Sequence, residues 1–79
     1  MKIKLIAYGI ATDILKSKEK VWEVETSTIQ DLKQRLLAEY PAFNHLSKLS
    51  FAVGEEYRDN DFQLKEGDEV VIIPPVSGG

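Results

Sequence analysis

Polar and apolar residues alternate from Lys2 to Tyr8, with Ile3, Leu5 and Ala7 on one face and Lys2, Lys4, Ile6 and Tyr8 on the other. That period predicts a β-strand, which Gly9 ends. Ile10 to Leu15 fits a short helical turn ahead of the charged stretch Lys16–Lys20. Trp22, Val24 and Thr26 alternate with Glu23 and Glu25, predicting a second strand antiparallel to the first. The periodicity then changes. Ile29, Leu32, Leu36, Leu37 and Tyr40 fall on one face of a helix spanning Thr28–Tyr40. Thr28 suits the N-cap, with Asp31 three residues on in a weaker version of the capping box. Asp31 also lies near the positive end of the helix dipole, and Pro41 stops the helix. Leu49–Val53 reads as a third strand, Gly54-Glu55-Glu56 as a turn, the residues around Tyr57 as a short fourth strand, and Glu69–Ile73 as the last. Pro74-Pro75 end it, because proline cannot donate to a ladder.

The order β-β-α-β-β-β around one long helix points to an α+β chain with a β-grasp architecture: a mixed sheet packed on one main helix, with the first and last strands as parallel neighbours. A ferredoxin-like fold needs a second long helix, and an SH3-like barrel has no place for Thr28–Tyr40. Residues 1–73 are expected to form the domain and 74–79 a flexible tail. In that arrangement Ile6, Tyr8, Val71 and Ile73 share the face of the sheet turned away from the helix. A sheet with one wet face should be polar there, so an apolar patch reads as a surface for a partner.

Composition narrows the chemistry. At 79 residues there is room for one domain, with roughly 4–12 kcal/mol of stability. Cysteine is absent and His45 is the single histidine. These exclude disulfides, a thiolate nucleophile, a zinc–thiolate site and a His-rich metal site, so no bound metal is expected. His45 falls in a loop after Pro41 and reads as a solvated residue. No Gly-rich phosphate cradle is present. A net charge of −3 argues against a nucleic-acid partner. No apolar run reaches the length of a membrane span, and the first residues lack a signal peptide's pattern, so a soluble, cytoplasmic protein is expected. Seven carboxylates between Glu55 and Glu69 face only Arg58 and Lys65. The spacing is not that of an EF-hand loop, which leaves solvated turns or a docking face for a basic partner.

Chemistry enters at the last residues. Pro74-Pro75 stiffen the exit from the sheet, and the stretch from Pro74 to Gly79 reaches at most about 20 Å. Gly78 and Gly79 carry no side chains, so a terminal carboxylate could pass down a narrow channel. A carboxylate is a poor electrophile and must be activated, for example as an acyl-adenylate, before a nucleophile attacks it.

Glu66-Gly67-Asp68-Glu69-Val70-Val71-Ile72-Ile73 followed by Pro74-Pro75-Val76-Ser77-Gly78-Gly79 closely resembles the ending of molybdopterin synthase small subunits, a family of ubiquitin-like β-grasp sulfur carriers. The likeness extends over the whole chain: its length, the opening strand ending in an aromatic, and the helix opening Thr28-Ile29-Gln30-Asp31-Leu32. Thiamine-pathway carriers are usually shorter and lack the double proline. The resemblance implies that an activating enzyme spends ATP to adenylate Gly79, with no cofactor held by this chain. The adenylate is then converted to a thiocarboxylate, whose sulfur passes to cyclic pyranopterin monophosphate in the large synthase subunit, within a heterotetramer. It further implies that Gly79, with Gly78, is the reacting end, that Val76 and Ser77 thread the partner's channel, and that Tyr8, Ile73, Pro74 and Pro75 contact partners. Thr12-Asp13 stand where the family often has Arg-Glu, Gly54 where relatives often show Asn, and Ile73 in place of a common Phe. A carrier for thiamine synthesis or tRNA thiolation, a ubiquitin-like modifier, and a plain interaction domain are the other readings.

Overall fold

The computed structural model describes residues 1–25, 28–46 and 48–75. Its elements are β1 (Lys2–Ala7), α1 (Ile10–Leu15), β2 (Glu19–Glu23), α2 (Ile29–Glu39), a 3₁₀ turn (Pro41–His45), β3 (Ser50–Val53), β4 (Glu56–Tyr57) and β5 (Glu69–Ile73). One five-stranded sheet runs in the order β2-β1-β5-β3-β4. β1 and β5 are parallel, with Ile6 beside Val71, and the other pairings are antiparallel. This is the mixed sheet with one main helix expected for a β-grasp fold.

Alternation decides what is buried. Ile3, Leu5 and Ala7 of β1, Val70 and Ile72 of β5, and Phe51 and Val53 of β3 turn inward onto Ile29, Leu32 and Leu36 of α2. Every buried residue among those described is apolar, so no side chain there bears the cost of an unpaired polar group. The start of α2 is fixed by Thr28, in extended conformation, whose Oγ1 accepts from the Asp31 amide at 3.2 Å. The Thr28 hydroxyl in turn donates to Asp31 Oδ2 at 2.8 Å. At the other end Pro41 opens the 3₁₀ turn, as expected of a residue that cannot continue the helix.

The second strand differs from the sequence expectation in its placement. It begins at Glu19, inside the stretch that looked only charged, and ends at Glu23, with Val24 buried just beyond it; Thr26 lies outside the described residues. The pairing explains this. Lys20 sits opposite Leu5 on the helix side of the sheet, and its ammonium donates to the Tyr40 hydroxyl at 2.6 Å. Its aliphatic stem can thus lie against the core edge while its charge stays paired. The segment after Pro41 is likewise more than a loop: the 3₁₀ turn drives Phe43 into the core, edge-on to Tyr40 at a centroid distance of 6.3 Å. His45, in the same turn, is exposed as expected.

The β3–β4 hairpin closes through Gly54 and Glu55, both with positive φ (64° and 68°). Two consecutive left-handed residues make a type I′ turn, whose twist matches the flanking strands.

Candidate functional site

The parallel pairing of β1 and β5 brings their C-terminal ends to the same edge of the domain. Tyr8 and Gly9 therefore lie beside Ile73 and Pro74, where the chain leaves the sheet. The contact is close: a Cβ built on Gly9 would lie 3.6 Å from Pro74 Cγ. Gly9 itself has φ +56° and ψ −133°, a conformation that side chains rarely adopt. Pro74 and Pro75 are half-buried at this root. Val76, Ser77, Gly78 and Gly79 lie outside the described residues.

The face of the sheet opposite α2 carries the expected patch. Tyr8 is 60% exposed, and Ile6, Val71 and Ile73 are half-buried. The register extends the patch beyond the residues anticipated from sequence. Ile6 pairs with Val71, Val71 with Ala52, and Ala52 with Tyr57, whose ring is 70% exposed. One apolar row thus crosses β1, β5, β3 and β4, and Tyr8 and Ile73 continue it toward the tail. Sequence pattern alone does not place Ala52 and Tyr57 in this row, because β3 and β4 each offer too few residues to fix a register. Toward β2 and the N-terminal end of β1 the same face carries ion pairs around the exposed Val21: Lys4 and Glu19 approach to 3.6 Å, and the Met1 α-amino group lies 3.0 Å from Glu23. That amine holds the Glu23 carboxyl below its usual range, by its hydrogen bond first and its charge second.

Two grooves flank the root. One, about 770 Å³, lies between the start of β3, the residues after β4 and Ile73–Pro75. The other, about 400 Å³, lies on the β1–β2 side between Tyr8, Gly9, Thr12 and Lys18. Among the described residues no group of three or more His, Asp or Glu side chains is placed to hold a metal ion, and no helix is long and apolar enough to cross a membrane. The acidic stretch holds turn geometry in part: Asp68 Oδ2 accepts from the Lys65 amide at 2.7 Å, and Glu66 Oε1 from the Lys2 amide at 3.0 Å. The remaining chemistry of the region is an apolar docking surface beside an exit for the chain.

Comparison with known proteins agrees with this geometry. The molybdopterin synthase sulfur carrier subunit of Chlamydomonas reinhardtii is 36% identical over the full length of both chains. A molybdopterin converting factor subunit 1 from Pyrococcus furiosus superposes with a TM-score of 0.85 at 23% identity, covering 96% of this chain and 99% of that one. A chain of the complex of subunits 1 and 2 of the Helicobacter pylori molybdopterin-converting factor aligns over its full length and the whole of this chain with a TM-score of 0.69 at 22% identity. The ThiS family model matches residues 7–79. The chain belongs to the ThiS family.

Proposed function

We propose that this protein is the sulfur-carrier subunit of molybdopterin synthase, and that its reacting group is the carboxylate of Gly79. The observation that carries the reading is the coincidence of two features: the chain leaves the sheet at Pro74-Pro75, and the apolar row through Ile6, Val71 and Tyr8 borders that exit. The naming of the curated relatives and the double proline before Val76-Ser77-Gly78-Gly79 favour the molybdopterin pathway over thiamine synthesis.

The chemistry follows from the carboxylate. Its oxygen attacks the α-phosphorus of ATP within an activating enzyme, expelling pyrophosphate and leaving an acyl-adenylate. The terminal sulfur of a persulfide donor then attacks the acyl carbon and displaces AMP; a thiol attacks the S–S bond of the resulting acyl disulfide, leaving the thiocarboxylate and a disulfide on the donor. Softer and more nucleophilic than oxygen, that sulfur is delivered to cyclic pyranopterin monophosphate in the large subunit. Gly78 and Gly79 pass the channel because they lack side chains, while Val76 and Ser77 thread behind them. Tyr8, Ile73, Pro74 and Pro75 meet the partner's surface and set the depth of insertion. This chain supplies position rather than side-chain catalysis, and binds no cofactor of its own. The location is the cytoplasm and the working assembly a heterotetramer with the large subunit.

Reconstitution tests the reading. Thiocarboxylated protein mixed with the large subunit and cyclic pyranopterin monophosphate should yield molybdopterin, and a chain lacking Gly79 should yield none. Turnover by the Gly79-deleted chain would refute it.

A further inference from the structure

We propose that the 770 Å³ groove at the root of the tail seats an extended segment of the large subunit, laid along the outer edge of β3. The inference rests on the sulfur-carrier reading and adds a second contact to it, adjoining the apolar face and the root of the tail.

The groove exists because the β3–β4 hairpin is short. Its turn pairs Val53 with Glu56 and Ala52 with Tyr57, and the Arg58 amide still reaches the Phe51 carbonyl at 2.9 Å. The chain then swings away: the Asn60 carbonyl accepts from the Gln30 amide at 3.0 Å, and the Phe62 amide donates to the Asp59 carbonyl at 3.0 Å. Two strands that begin as a ladder end as a fork. In an antiparallel ladder alternate residues direct their amide and carbonyl to the same side. Leu49 therefore faces the side that Phe51 faces, where β4 no longer runs. The walls of the fork combine apolar surface from Leu49 and Pro74 with polar groups from Lys48 and Asn60, which suits main chain carrying an apolar side chain.

The opposite edge of the sheet is partly capped. Arg35 Nη1 donates to the Glu23 carbonyl at 2.6 Å, and its guanidinium lies 4.4 Å from the Trp22 ring centroid. Charged side chains of this kind hinder strand addition; Arg35 caps the end of β2 in this way, while the fork of β3 is left open. The occupant follows from continuity. Ile73, Pro74 and Pro75 form one wall of the groove and are also the residues from which the tail departs. A protein that encloses the tail within its reach of about 20 Å must pass over that wall. Tyr57 and Ile73 belong both to the groove and to the apolar face, so the two surfaces are continuous.

Backbone amide exchange of the unmodified chain, followed by NMR with and without the large subunit, tests the proposal without any substitution. The Leu49 amide should slow at least tenfold in the complex. Asn60→Trp and, separately, Lys48→Trp fill the groove from opposite walls. Both side chains are exposed, and the bond to Gln30 uses the Asn60 carbonyl, which the substitution keeps. Each variant should keep the parental thermal midpoint and bind the large subunit at least tenfold more weakly. A complex that forms without protection at Leu49, or folded variants with parental affinity, overturns the groove assignment alone. A chain that fails to bind the large subunit at all overturns the sulfur-carrier reading with it.

Discussion

Replacing Tyr8 with alanine separates folding from docking. Tyr8 follows β1 and is 60% exposed, so little of its ring is removed from water when the domain folds. Truncation should change the stability of the isolated chain by about 0.5 kcal/mol or less, as at other surface positions. Docking is a different matter. An aromatic side chain buries about 150–250 Å² when fully covered. The exposed 60% therefore offers roughly 90–150 Å² to a partner. At about 25 cal/mol per Å² this amounts to about 2–4 kcal/mol, or roughly a 30- to 700-fold loss of affinity. Isothermal titration of the large subunit into the parent and Tyr8→Ala proteins reads the loss, and thermal denaturation of the isolated chains reads stability. Gln34→Ala, on the exposed face of α2, is the control and should change neither. An unchanged dissociation constant, or a fall in thermal midpoint like that of a core substitution, would refute the argument.

Core, cap, turn and terminus give further expectations. Leu36→Ala removes a side chain with no exposed surface and should cost about 2–5 kcal/mol in urea denaturation, a large share of the stability of so small a domain. Thr28→Ala deletes the acceptor for the Asp31 amide and should cost about 1 kcal/mol by the same assay, with the loss smaller for Thr28→Ser. Glu55→Gly relieves a left-handed non-glycine residue at φ 68° and should stabilise the hairpin by about 1 kcal/mol. The Glu23 carboxyl is depressed by the Met1 amine. Its contribution is therefore present above the usual carboxylate pKa and lost as the pH falls through the depressed one. The parent's thermal midpoint should fall over that interval more than that of Glu23→Gln, and the difference should shrink in high salt.

The features legible in the sequence are those set by local periodicity. β1 and α2 each bury one face, and the alternation in Lys2–Tyr8 and the spacing of Ile29, Leu32 and Leu36 show which face it is. The pairing of β1 with β5, and with it the meeting of Tyr8 and Ile73, followed once the order of elements suggested a β-grasp sheet. Features that depend on a distant partner were hidden. Lys20 looks like one charge in a polar run until Leu5 and Tyr40 are seen beside it. Phe43 is flanked by polar and small residues, and only the 3₁₀ turn after Pro41 directs it inward. Ala52, itself buried, and the exposed Tyr57 join the apolar row through a register fixed by the Gly54-Glu55 turn, and Glu55 is not a residue whose type announces a positive φ. The groove beside Pro74 arises where two strands part, a property of chain direction that no residue pattern encodes.

The central claim, that Gly79 carries sulfur as a thiocarboxylate, is tested most directly by intact-protein mass spectrometry. The chain is incubated with a molybdopterin-pathway activating enzyme, ATP and a sulfur donor. The account predicts a gain equal to one oxygen replaced by sulfur, located at Gly79 by fragmentation and absent when ATP is withheld. An unchanged mass with an enzyme that adenylates the chain, or sulfur found anywhere other than the terminal carboxylate, would contradict it.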